Sequence, residues 1–103
     1  MPFQLTDDEL RTVAAILKAH LPPDAQVWVY GSRVRGTAHR TSDLDLALDV
    51  GQPLPFSVWG FLSDAFDASS LAFRVDLTDV HSCDPVFLER IQREWVPWPQ
   101  PSG

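Results

Sequence analysis

Apolar residues recur along this chain at two spacings, and the switches between them mark out the elements. Over residues 6–21, Leu10, Val13, Ala14, Leu17 and Leu21 share one face at helical spacing. Thr6 is placed to cap that helix and Glu9 completes a T-x-x-E capping box, while Leu5 and Leu10 have the spacing of a hydrophobic staple. Pro22 and Pro23 end it, because proline cannot continue the hydrogen-bond ladder. Residues 27–30 are β-branched and aromatic and predict a strand. Gly31-Ser32 then turns into a short helix, and a polar loop leads to a second strand with strict alternation. In that strand Leu44, Leu46, Leu48 and Val50 point one way, and Asp43, Asp45, Ala47 and Asp49 point the other.

The second half repeats the scheme less sharply. Residues 56–67 read as a helix with Phe56, Trp59, Leu62 or Ser63, and Phe66 on one side, weakened by Gly60. Ser69-Ser70 break it. Residues 72–77 predict a third strand, with Phe73, Val75 and Leu77 facing the core and Ala72, Arg74 and Asp76 facing away. Asp84-Pro85 is a helix start, with Asp as N-cap and Pro in the first turn, and Phe87 or Leu88, Ile91 and Trp95 form its apolar side. The ending VPWPQPSG is proline-rich; a last strand there is restricted to a sheet edge by Pro97 and Pro99. The expected architecture is α/β (α+β): a small mixed β-sheet with helices packed against it, over residues 1–96, followed by a tail over 97–103.

At 103 residues the chain has material for one modest core and no second lobe. No apolar run approaches the length of a membrane span, and the N-terminus lacks a basic-then-apolar leader pattern, so no membrane role is expected. The single cysteine, Cys83, excludes an internal disulfide framework and fits a reducing cytoplasm. A formal net charge of −6 argues against binding long nucleic acid through its backbone, but a small nucleotide held through a metal needs no basic protein.

The chemistry concentrates between Val27 and Val50. Gly31 permits a tight turn and close approach, and Ser32 opens a helix whose free N–H groups and dipole attract phosphate oxygens. Arg33 and Arg35 add positive charge nearby, with exposed helical arginine as the plainer reading of each. Asp43 and Asp45 lie two residues apart on one face, their Cα atoms roughly 6.6 Å from each other. Carboxylates held so close repel unless a cation lies between them, and hard oxygen donors of this kind suit Mg²⁺ together with substrate phosphates. A phosphate cradle followed by a metal clamp points to nucleotide chemistry.

Gly31-Ser32, ten intervening residues, then Asp43-Leu44-Asp45 resembles the GS-x10-D-x-D signature of the polymerase-β-like nucleotidyltransferase superfamily. The GSRVRG and SDLDL wording is most similar to its minimal nucleotidyltransferase (MNT) group. The resemblance implies a nucleotidyltransferase fold, a nucleoside triphosphate substrate (ATP or another NTP) and two Mg²⁺ ions. It implies that Asp43 and Asp45 bind the metals, that Val75-Asp76-Leu77 supplies the third acid through Asp76, and that Gly31, Ser32 and Arg33 bind the nucleotide. Asp79 is the rival third acid, expected in the loop after the strand. Members of the MNT group are commonly paired with a helical HEPN-type protein, and several are antitoxins that attach AMP to a tyrosine of that toxin. The implied function is therefore metal-dependent transfer of a nucleoside monophosphate, with pyrophosphate leaving, to a partner's hydroxyl. Two alternatives are a weakly catalytic binding protein that neutralises or scaffolds a helical partner, and a catalytic subunit modifying a small molecule held by a partner.

Elsewhere the residues read as scaffold. Asp49 is a strand-end surface charge, and His20 and His81 show no metal-ligand spacing. His39 and Arg40, in the loop between the motif halves, divide between substrate contact and solvation. Cys83 is a small inert side chain. Trp28, Trp59 and Trp95 are core or interface aromatics, and Trp98 in the proline-rich ending is the candidate for a partner contact.

Overall fold

A computed structural model describes residues 3–99. The elements in chain order are α1 (Asp7–His20), β1 (Gln26–Tyr30), α2 (Ser32–Arg35), β2 (Leu44–Asp49), α3 (Phe56–Asp67), β3 (Val75–Asp79), α4 (Pro85–Gln92) and β4 (Val96–Pro97). The strands form one mixed sheet in the order β3-β2-β1-β4. β2 runs antiparallel to β1 and parallel to β3, with α3 as the crossover, and β4 runs antiparallel to β1.

Local signals set the helix ends as the pattern requires. The Thr6 hydroxyl accepts from the Glu9 N–H at 3.1 Å, and the Glu9 carboxylate accepts from the Thr6 N–H at 2.9 Å, so the capping box is complete. At α4, the Asp84 carboxylate accepts from the N–H groups of Val86 and Phe87 at 2.8 and 3.2 Å, with Pro85 in the first turn.

The sheet is covered on both faces. On one, Val27, Val29, Leu44, Leu46 and Leu48 meet Val13 and Leu17 of α1 and Leu62 and Phe66 of α3. On the other, Tyr30 and Ala47 pack with Ile91 of α4, and Trp28, Phe87, Leu88 and Trp95 gather around them. Ala47 is fully buried, so the acid-bearing face of β2 is covered at its middle and leaves Asp45 and Asp49 half-buried at its two ends.

Four expectations change. The third strand lies at Val75–Asp79 rather than 72–77, because its length is set by pairing with Leu44 through Leu48 of β2; the alternation still holds back to Phe73, which is buried. Asp79 therefore ends the strand instead of lying in the following loop. Phe56 is 94% exposed: at about 100° per residue it falls about a quarter turn outside the stripe centred on Trp59, Leu62 and Phe66. Trp98 is core rather than a free contact, only 6% exposed, stacked on Phe3 with ring centroids 5.6 Å apart, and its N–H donates to the Val27 carbonyl at 2.8 Å. The fold thus continues through Pro97 and Trp98, past the expected start of the tail, and residues 100–103 of that tail lie outside the described residues.

Candidate active site

β1 delivers the chain to Gly31, whose φ of +85° is open to glycine and strained for any other residue. The same glycine meets a second demand. A Cβ there would lie 2.1 Å from the Asp45 Oδ2, so the Asp45 carboxylate rests directly against the turn. Gly36, at φ +79°, closes the four-residue helix α2. The signature thus folds into a compact object in which the turn, the short helix and the second acid of D-x-D touch.

The third acid arrives by register. Asp45 pairs with Tyr30 on one side and Asp76 on the other, and directly opposed residues share a face with backbones about 4.8 Å apart. Tyr30, Asp45 and Asp76 therefore form one row across β1, β2 and β3. Asp43 stands one residue before β2, exposed, and lines a cleft of about 340 Å³ with Thr41, Phe66, Asp67 and Arg74. Among the described residues no three His, Cys, Asp or Glu side chains gather closely enough to hold a metal ion as they stand. The structure brings Asp45 and Asp76 together and leaves Asp43 at the rim.

The row is electrostatically tense. Burial, reinforced by the charges of Asp76 and Asp43, pushes the Asp45 carboxyl up to about 6, with Arg35 opposing. A half-buried carboxylate beside two others is a donor set that a hard divalent cation would relieve, so the residues fit the metal the signature implies. On the same face, the Tyr30 hydroxyl reaches across the small Ala47 to the Thr78 hydroxyl at 2.9 Å. Burial raises the Tyr30 pKa despite that bond, and the charges of Asp45 and Asp76 add to the rise, so the phenol stays neutral beside them. This contact was not read from the sequence, although the cross-strand position of Tyr30 immediately before Gly31 signals it.

The two arginines of GSRVRG separate. Arg33 is 4% exposed, its guanidinium turned away from solvent into the loop that follows, so neither an exposed helical side chain nor a free phosphate ligand describes it. Its side chain donates to the carbonyls of Gln4, His39, Arg40 and Ser42. The Arg35 side chain is 55% exposed and holds both Glu94 carboxylate oxygens at 3.0 and 3.1 Å. Both guanidinium groups lie within electrostatic reach of Asp45, and Arg35 is the one that opposes the rise in its pKa.

The other polar candidates have structural employment. Asp79, buried, accepts from the Leu54 N–H at 2.8 Å, the Ser82 hydroxyl at 2.8 Å and the His81 N–H at 3.1 Å. Burial alone would raise its pKa, but these bonds outweigh it and hold the carboxyl low. Asp79 thus ties loops at the far end of β3, while Asp76 stands opposite Asp45. Asp49 accepts from the Gly51 N–H and pairs with His81 at 2.7 Å.

A family model described as "Polymerase beta, Nucleotidyltransferase" matches residues 12–96. The chain belongs to the polymerase beta nucleotidyltransferase family. It is 42% identical over 94 residues to the probable protein adenylyltransferase MntA of Haemophilus influenzae, covering 91% of this chain and 82% of that protein. With the protein adenylyltransferase MntA of Shewanella oneidensis it shares 29% identity over 79 residues, covering 77% of this chain and 56% of that one. Among solved structures, a toxin–antitoxin complex crystallised with AMP-PNP superposes with a TM-score of 0.72 at 26% identity, over 87% of this chain and 72% of that one. This nucleotidyltransferase has its family's fold, and no helix among its described residues is long and apolar enough to cross a membrane.

Proposed function

We propose that the protein transfers AMP from ATP to a hydroxyl of a protein partner, with a tyrosine of a HEPN-type toxin as acceptor, and so acts as its antitoxin. The observation that carries this is Asp45, set against Gly31 and opposite Asp76 on one face of the sheet. The adenylyltransferase names of two relatives and a toxin–antitoxin neighbour with a bound ATP analogue support the same reading.

Asp45 and Asp76, with Asp43 swinging in from the rim, are the residues that would hold divalent ions, with Mg²⁺ as the choice and two ions as the count. When bound, such ions neutralise the triphosphate and stabilise the attacking and leaving oxygens of an in-line displacement. The chain's own contribution is placement. Gly31, Ser32 and the backbone N–H of Arg33 receive the β- and γ-phosphates at the start of α2, where the first N–H groups have no intrahelical acceptor. Arg35, exposed and held among the described residues by Glu94, exchanges that partner for a phosphate oxygen. The acceptor oxygen attacks the α-phosphorus, the bond to the β-phosphate's bridging oxygen breaks, and pyrophosphate leaves. Asp76, on the more open edge strand, takes the acceptor's proton. Catalysis in the cytoplasm agrees with the free thiol of Cys83.

The test is incubation of the chain with α-³²P-ATP, MgCl₂ and a HEPN-type partner, wild type beside Asp45→Asn and Asp76→Asn. Label on the partner, lost in both variants and on chelation, supports the reading. Neutralisation of the partner without label, undiminished in the variants, would assign the protein to contact inhibition instead.

A further inference from the structure

We propose that Arg33, the arginine directly after the Gly-Ser pair, is a positioning residue that orders the loop leading into Asp43 and binds no phosphate through its side chain. The inference rests on the reading of the acids given above, and it concerns how Asp43 is delivered to them.

The geometry is specific. Arg33 Nη1 donates to the Gln4 carbonyl at 2.7 Å, and Nε and Nη2 donate to the Ser42 carbonyl at 3.2 and 2.8 Å. Nη2 also donates to the carbonyls of Arg40 at 3.2 Å and His39 at 3.4 Å. The guanidinium carbon lies 4.1 Å from the centre of the Phe73 ring, on the segment that leads into β3. One side chain thus joins the segment before α1, the loop after α2 and the approach to the third strand.

Ser42, held by two of these bonds, is the residue immediately before Asp43, so the position of the first D-x-D carboxylate is set by the fork. The loop's other ties are few: the Thr37 N–H donates to the Ser32 carbonyl at 3.1 Å, the His39 N–H to the Ser42 hydroxyl at 2.7 Å, the Ser42 N–H to the His39 carbonyl at 3.1 Å, and the Ala38 N–H to the Gln4 side chain at 3.0 Å. Neutral carbonyls satisfy a buried guanidinium only if several converge, and a lysine ammonium, a point donor, cannot reproduce a planar fork addressing separate segments. Burial pulls the Arg33 pKa below its ordinary value, and the charges of Glu9, Asp43 and Asp45, which it does not contact, only partly oppose that.

The experiment separates this from a phosphate-binding role and from failure of the transferase reading. In the wild-type protein, the Arg33 Nε–H NMR signal should be protected from solvent exchange and stay in place on addition of pyrophosphate, while that of Arg35 shifts. In Arg33→Lys, amide exchange over residues 37–43 should rise at least tenfold, and Mn²⁺ affinity, read by titration without any turnover, should fall at least tenfold. Where transfer is measured, kcat falls and the apparent metal requirement rises, with KM for ATP at saturating metal little changed. An Arg33 signal that moves with pyrophosphate, or a lysine variant that restores wild-type loop protection and Mn²⁺ affinity, would overturn the proposal. If transfer is absent in the wild type, the exchange and Mn²⁺ results still decide the role of Arg33.

Discussion

Asp45→Asn should make the protein more stable while removing its activity. Folding lifts the Asp45 carboxyl from an ordinary value of 3.8 to about 6, through burial first and then the neighbouring Asp76 and Asp43 charges. That rise corresponds to about 3 kcal/mol against the folded state at pH 7. The site is open to water along one side, and screening reduces this to about 1–2 kcal/mol. The direction follows from proton binding. Between about pH 4 and 6 the folded chain holds more protons on Asp45 than the unfolded chain, so stability falls as pH rises through that window and the full penalty stands above it. An isosteric amide removes the penalty. Thermal melts at pH 7 without divalent ions should therefore place the variant about 5 °C or more above wild type, with the gap closing toward pH 4. Adding Mg²⁺ should raise the wild-type Tm and leave the variant nearly unmoved, since only the wild type retains the paired acids. A variant less stable than wild type at pH 7, or a gap independent of pH, would refute the electrostatic argument.

Three further outcomes follow from the same geometry. Gly31→Ala places a methyl 2.1 Å from Asp45 Oδ2 at φ +85°, so stability should fall by at least about 1–2 kcal/mol and transfer by about 100-fold as the acid is displaced, read from urea melts and label transfer. Asp79→Asn should cost about 1–3 kcal/mol by leaving the donors of Leu54 and Ser82 poorly matched while leaving transfer per folded molecule intact, and Asp76→Asn should do the reverse; because the Asp79 carboxyl is held low, its stabilisation is present at neutral pH and fades as pH falls. Trp98→Ala should cost about 3–5 kcal/mol in urea unfolding, as a core residue does and a tail residue does not.

What the sequence disclosed depended on whether the cause was local. Thr6 with Glu9, and Asp84 with Pro85, state their helix ends within four residues, and both ends stand where those residues put them. Gly31-Ser32 and Asp43-Leu44-Asp45 carry their chemistry in their spacing, so the turn and the family were legible before any coordinates. The register that sets Asp76 beside Asp45 was visible as an alternation but not as a pairing. The misses concern tertiary neighbours. Arg33 and Arg35 look alike in a string, and only the folded loop shows that one faces four carbonyls and the other solvent. The prolines flanking Trp98 spoke for an irregular ending, yet Pro97 is tolerated on an edge strand and delivers the indole to the core. Ala47 gave no sign that α4 would cover it, because a small side chain fits a covered face and an open one equally.

The parallel pairing of β2 with β3 also governs when the acids can meet. Antiparallel neighbours can zip from a connecting turn, but a parallel partner must wait until its crossover has folded back over the sheet. The Gly31 turn and Asp45 are complete once β1 and β2 have paired. Asp76 joins only after α3 has docked, so a nascent or partly refolded chain has the turn before it has the paired acids. Assembly of the acid row is then a late event of folding.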